Sequence, residues 1–145
     1  MTITLEKATS EDAEKLHAIQ IKSFLPLLEK YQDHEINPGC EPIDKTLQRI
    51  NDPLKAFYKI LKDNILVGGI AIKHISNEII FLGSIFIDPI FQNQMIAQTV
   101  SQLIENIFPS VHFFELRTLA QEKGNIHLYE KMGYVIQGES KKITH

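Results

Sequence analysis

Residues 82–97 read Leu82-Gly83-Ser84-Ile85-Phe86-Ile87-Asp88-Pro89-Ile90-Phe91-Gln92-Asn93-Gln94-Met95-Ile96-Ala97, and their reading decides the fold. An apolar, strand-like run ends at Pro89 and a short polar turn follows. A helical pattern then starts at once, with Ile96, Val100, Leu103, Ile104 and Ile107 on one stripe. Such a junction aims a helix N-terminus, with its unpaired N–H groups and partial positive charge, at an anion. A pyrophosphate suits that geometry; an ordinary strand-to-helix connection is the plainer reading of the same residues. Met95 is the odd residue, standing where such a turn is expected to carry glycine.

Working outward, Ala56–Leu61, Ile65–Ile75 and Glu78–Asp88 read as three strands joined by tight turns at Lys62-Asp63-Asn64 and Ser76-Asn77, an antiparallel meander. Upstream, Ile3–Ala8 alternates as a first strand, and Thr9 or Ser10 caps a helix whose positive end is complemented by Glu11 and Asp12. Leu16, Ile19 and Phe24 form its stripe. Pro26 suits the first turn of a second short helix reaching Tyr31. Gln32–Glu41 is a loop on composition, with a turn at Asn37-Pro38-Gly39. Ile43, Leu47 and Ile50 mark a helix that ends near Asp52-Pro53. Downstream of the opening stretch come a strand at Phe113–Leu119, a short helix at Ile126–Met132 closed by Gly133, and a last strand starting at Tyr134–Gly138. The pattern is one mixed α+β domain over residues 1–145, its sheet covered by helices.

Composition narrows the function classes. With 145 residues, 43% hydrophobic and 23% charged, the chain has material for a real core. A net charge of -3 without a basic block argues against nucleic acid and anionic membrane as partners. No apolar run reaches the ~18 residues of a membrane span, and the N-terminus lacks the features of a signal peptide. Cys40 is the single cysteine, which excludes an internal disulfide and fits a cytoplasmic location; it is a bystander thiol or a nucleophile. None of the six histidines pairs at a spacing that puts two ligands on one helix face, so no metal is expected.

Two motifs carry a resemblance. One is Gln92-Asn93-Gln94-Met95-Ile96-Ala97, placed after a strand that ends at a proline. The other is Asn125-Ile126-His127-Leu128-Tyr129-Glu130-Lys131-Met132-Gly133-Tyr134. With the order of elements, they resemble the GNAT acyltransferase family, whose helix-opening Gln/Arg-x-x-Gly-x-Gly/Ala and Leu-Tyr-Glu-Lys-x-Gly-Phe/Tyr signatures they match, apart from Met95. The resemblance implies a central, mostly antiparallel sheet of about six to seven strands with helices on both faces. It implies an N-acetyltransferase that moves the acetyl group of acetyl-CoA to a primary amine of a small molecule or peptide, by direct attack in a ternary complex. In that reading Gln92, Asn93, Gln94, Met95, Ile96 and Ala97 hold the pyrophosphate through backbone N–H groups. Ile85, Phe86 and Ile87 offer main-chain groups to the pantetheine arm and to an oxyanion. Thr118 and Asn125 face the coenzyme, and Tyr129 protonates the departing thiolate. The family's usual asparagine, seven residues before the tyrosine, falls on Glu122 here.

A general base is not visible in the sequence. Glu78 starts a strand and Glu115 lies within one, while Asp33, His34 and Glu35 lie in the loop expected to flank the acceptor pocket; each reads as a solvated surface charge before it reads as a base, and the strand position that bears a carboxylate in several family members is Phe81. The acidic loop Tyr31–Glu41 is the expected specificity element and suits a cationic amine. A second function class follows from Met95 and the missing base: a coenzyme-A-binding or regulatory module that keeps the fold without efficient catalysis. A third is a plain protein-interaction domain. Strands near the C-terminus leave a homodimer open. For Met95 there are two alternatives: a helical backbone, at no conformational cost, or a positive φ that strains a non-glycine residue.

Overall fold

Asp63 and Asn64 turn the chain with φ of 50° and 70°, the left-handed pair a two-residue hairpin favours and which Asp and Asn tolerate better than most residues. The computed structural model describes residues 2–31, 42–92, 95–117, 135–137 and 142–144. The turn joins β2 (Lys55–Lys62) to β3 (Ile65–His74), and β3 pairs with β4 (Ile79–Ile87), giving the expected antiparallel meander. β1 (Ile3–Lys7) lies on the outer edge of β2. β4 pairs in parallel with β5 (Phe113–Arg117), which is followed by β6 (Val135–Gln137) and β7 (Lys142–Thr144). The seven strands run in the order β1-β2-β3-β4-β5-β7-β6.

Here the structure corrects one expectation. The strand at Tyr134–Gly138 is present as β6, but it is not the last; β7 follows and inserts between β5 and β6. Lys142-Ile143-Thr144 is too short to show an alternating pattern, and its two flanking ladders supply what local propensity does not signal.

Helices cover both faces. On one, α1 (Ala13–Tyr31) and α2 (Ile43–Asn51) bring Leu16, Ile19, Phe24 and Ile50 onto Phe57, Ala71 and Phe86. On the other, α3 (Ile96–Ile107) brings Ile96, Val100 and Ile104 onto Ile60, Ile70, Ile72, Ile80 and Phe114. The alternation of strand side chains assigns neighbours such as Phe57 and Tyr58 to opposite cores. A second expectation is corrected in α1, which runs unbroken through Pro26 instead of restarting there. An internal proline removes one helical hydrogen bond and crowds the preceding turn, at a cost of about 3 kcal/mol. Burial of Leu16 and the stripe around it upstream offsets that loss.

The β3–β4 ladder contains the irregularity that matters for function. Ile70 pairs with Ile85 and Ile72 with Leu82, so Gly83 and Ser84 stand against Ala71 alone. Two residues against one is a β-bulge, which adds twist and re-aims the strand beyond it. It also lets Leu82 and Ile85, an odd number apart, pack into the same core. Near the end of the ladder the two backbones approach so closely that a Cβ on Gly68 would lie 2.1 Å from the carbonyl oxygen of Phe86. Gly68→Ala is therefore expected to destabilise by about 3 kcal/mol, read as a lower midpoint in urea unfolding.

The start of the helical layer is set by Asp12. Its carboxylate accepts from the Thr9 N–H at 2.9 Å and the Thr9 hydroxyl at 3.2 Å, and Lys59 Nζ lies 3.2 Å away. The Thr9 backbone bond, aided by Lys59, holds this carboxyl below its ordinary value of 3.8. A depressed carboxylate stabilises the fold above the ordinary value, and that contribution disappears as pH falls through the folded value. Asp12→Ala should cost about 1 kcal/mol near neutral pH, and the gap to the wild type should narrow as pH falls below the ordinary carboxylate value in denaturant unfolding repeated across pH.

Candidate functional site

The sheet opens between β4 and β5. Their parallel ladder consists of Ile79↔Phe113, Ile80↔Phe114 and Phe81↔Glu115. Beyond it β4 continues to Ile87 along β3, while β5 continues to Arg117 along β7. Among the described residues no strand pairs with Leu82–Ile87 on the β5 side. The bulge at Gly83 and Ser84 begins where the ladder stops, and its extra twist accounts for the divergence. The side chains of Ile85 and Ile87 go to the α3 core and that of Phe86 to the α1 core, where it meets Phe57 edge-on at 6.2 Å. What β4 presents to the gap is therefore main chain, and an extended ligand can pair with it as a strand would.

At its open end β4 runs into a closely tied turn. Asp88, only 8% exposed, donates its N–H to Val67 O at 2.7 Å and accepts from Ile90 N at 3.2 Å through Oδ1. Pro89–Phe91 form a single 3-10 turn, and Gln92 Nε2 donates back to the carbonyl of Ile87 at 3.1 Å. The Gln92 side chain is thus engaged by the turn itself. From α1, Lys22 Nζ reaches Asp88 Oδ2 at 3.2 Å. On the α3 side, Lys62 Nζ sits 5.2 Å from the ring centre of Phe91.

Met95 begins α3 as its N-cap with φ 62° and ψ 18°, so of the two alternatives the positive φ is the one found. Left-handed backbone costs a non-glycine residue about 1–2 kcal/mol. The helix holds it there through the Met95 carbonyl, which accepts from the N–H and the hydroxyl of Thr99 at 3.1 and 3.0 Å. Ile96, 2% exposed, fastens the first turn in the core, and Ala97 is partly buried beside it. The Met95 side chain is 66% exposed, and among the described residues no side chain caps the helix. The N–H groups of the first turn, from Ile96 and Ala97 onward, are left for solvent or an anion.

Asn93, Gln94, Thr118, Asn125 and Tyr129 lie outside the described residues, as do Asp33, His34, Glu35, Cys40 and Glu122. Of the carboxylates considered as bases, exposed Glu78 sits at the far end of the β4–β5 ladder, away from the gap, where its carbonyl accepts from His112 and Phe113 N–H groups at 3.0 and 2.9 Å. Glu115 is partly buried opposite Phe81 in the last pair of the ladder. Because Phe114 points into the α3 core, Glu115 and Phe81 face the α1 side. The sequence reading missed Lys22 and Asp88, a pair 66 residues apart that no local pattern links. Among the described residues no three His, Cys, Asp or Glu side chains are grouped to hold a metal, and no helix is long and apolar enough to cross a membrane.

Comparison with known proteins bears on this geometry. The chain matches the family described as acetyltransferase (GNAT) domain over residues 5–145. No curated protein matches it significantly by sequence. Among solved structures it is similar to the PaiA N-acetyltransferase of Thermoplasma acidophilum in complex with coenzyme A, at 19% identity and a TM-score of 0.75, covering 99% of this chain and 98% of that one. It is similar as well to the spermidine N-acetyltransferase of Vibrio cholerae in complex with CoA and spermine, at 19% identity and a TM-score of 0.72, covering 99% and 94%. An acetyltransferase from Thermus thermophilus superposes with a TM-score of 0.77 at 15% identity, covering 99% and 95%.

Glycine relieves the backbone strain at Met95. Met95→Gly should raise stability by up to about 1 kcal/mol, and Met95→Val should lower it, since a β-branched residue tolerates positive φ least. Thermal unfolding of the two variants beside the wild type measures both.

Proposed function

Because the chain belongs to the GNAT acetyltransferase family, we propose that it transfers the acetyl group of acetyl-CoA to a primary amine of a small molecule or peptide, by direct attack in a ternary complex. The observation that carries the proposal is the free edge of β4 followed, after the turn at Asp88, by the N-terminus of α3, which no side chain among the described residues caps. A phosphate at that N-terminus and an extended arm along β4 satisfy both sets of main-chain groups at once. Their lengths agree as well. Between phosphate and sulfur the pantetheine arm has about twelve bonds, equivalent to about four extended residues or ~14 Å. Counted back from Ile87, that reaches Gly83, at the bulge and just past the last β4–β5 pair.

In this reading the main-chain N–H groups from Asn93 to Ala97 hold the pyrophosphate, that of Gln92 being given to the Pro89 carbonyl at 3.3 Å, and Ile85–Ile87 pair with the arm. In the same reading Thr118 and Asn125 contact the coenzyme. An N–H at the bulge end of the Ile85–Ile87 stretch, nearest to where the sulfur falls, stabilises the oxyanion as the amine nitrogen attacks the thioester carbon. The C–S bond then breaks and the thiolate takes the phenolic proton of Tyr129. The attacking amine must lose a proton, and Glu115, facing the α1 side at the closed end of the gap, is assigned to accept it directly or through water. Family relatives with bound coenzyme A, and one with bound spermine, support the coenzyme and an amine acceptor. A module that has lost catalysis is not required by Met95, whose backbone keeps the left-handed geometry a glycine would adopt.

Calorimetric titration with coenzyme A, followed by thiol release from acetyl-CoA with polyamines, amino acids and N-terminal peptides, tests the proposal. Saturable binding and turnover on at least one amine class are expected; no binding of coenzyme A would overturn it. Tyr129→Phe should lower kcat by about a hundredfold and leave coenzyme A affinity within about twofold. Glu115→Gln should lower kcat by a similar factor and remove the acidic limb of the pH–rate profile.

A further inference from the structure

The turn proposed to hold the coenzyme phosphates brings no positive side chain of its own. Gln92–Ala97 are all uncharged, and α3 has no lysine or arginine from Ile96 to Ile107. Helix N–H groups and the helix dipole provide the attraction. Working against them is Asp88, whose carboxylate lies at the root of the same turn with its side chain 12% exposed. A buried carboxylate carries the same sign of charge as the incoming pyrophosphate, and burial limits the screening water provides. Asp88 is nonetheless needed there, because its Oδ1 caps the N–H of Ile90.

Lys22 meets this conflict from α1. Its Nζ lies 3.2 Å from Oδ2 and 3.4 Å from Oδ1 of Asp88. We propose that Lys22 is a positioning residue for coenzyme binding: it neutralises Asp88, so the turn keeps its cap without repelling the phosphates. The inference rests on the coenzyme reading given above. It also ties the coenzyme turn to α1, the helix that leads into the loop expected to select the acceptor. Among the described residues Asp88 forms an ion pair with Lys22 from α1, while Lys62 Nζ lies over the Phe91 ring.

The test is a double-mutant cycle read by calorimetric titration with coenzyme A, using wild type, Lys22→Met, Asp88→Asn and the double variant, with thermal unfolding of each. Lys22→Met should weaken binding about fivefold, the order expected of one uncompensated charge acting on a multiply charged pyrophosphate through a largely aqueous dielectric, and the deficit should shrink at higher salt. Asp88→Asn keeps an acceptor for the Ile90 N–H and should bind coenzyme A as tightly as wild type or more so. The double variant should return to within about twofold of wild type. A merely structural tie predicts the reverse, with both single variants and the double weakened together, and that result overturns the inference. Equal binding by Lys22→Met and wild type also overturns it while sparing the coenzyme reading; failure of the wild type to bind coenzyme A overturns both. If Lys22→Met does not fold, Asp88→Asn decides alone, since weaker binding by that variant contradicts the proposal.

Discussion

After Phe81, β4 has a hydrogen-bonded neighbour on one side only among the described residues, and the rest of the site depends on that loss. An unpaired strand edge is ordinarily a liability, prone to pairing with whatever strand approaches. Here it lies inside the sheet, flanked by β5 as that strand turns away toward β7. The bulge opposite Ala71 makes the divergence local: before it the two strands pair in regular parallel register, and after it they separate. The same bulge keeps Leu82, Ile85 and Ile87 in one core, so the opening does not expose apolar side chains. A slot lined by main chain is thereby created without sacrificing packing.

The slot ends at a turn held from several directions. Asp88 N–H goes to Val67, Asp88 Oδ1 to Ile90, and Gln92 to the Ile87 carbonyl, while Ile96 is buried in the core. Against such a frame the left-handed conformation of Met95 persists even without glycine. Strained residues survive where their surroundings over-determine them, and at this position the determinants are the helix that starts at Ile96 and the Thr99 bonds to the Met95 carbonyl. The exposed thioether is then an addition at the mouth of the turn, with the backbone beneath it unchanged in kind.

Much of this was legible in the sequence because local rules and tertiary structure agree there. Asp63-Asn64 announced a hairpin by chemistry that only a few residues share, and the stripe of Ile96, Val100 and Ile104 announced α3 by its period. What was not legible was decided at a distance. Pro26 lies inside α1 because packing on the sheet outweighs a local preference that favours a helix start. β7 is three residues long and exists through its two neighbours. The bulge at Gly83 and Ser84 breaks the very alternation that strand reading relies upon. At the site, the turn was visible as a pattern, whereas the Lys22–Asp88 pair joins residues with no shared motif and emerges only when α1 is laid across the end of β4.

Gly68 shows how the two halves of the problem meet. Its missing Cβ lets the backbone of β3 approach the Phe86 carbonyl more closely than any other residue would allow. The next bond along, from Asp88 to Val67, fastens the root of the turn to that same tight ladder. The Phe86 ring, packed on Phe57 beneath α1, carries the contact down into the second core. The turn is therefore fastened to a tightly packed ladder of the sheet and linked to α1 through Lys22. A site whose main-chain donors must converge on one anion requires that kind of rigidity, because each N–H contributes only if all are aimed together. Under the proposed function, acceptor selection places no such demand on the sheet, and assigning it to the acidic residues that follow α1 in sequence leaves the β4 edge free to be built into the core.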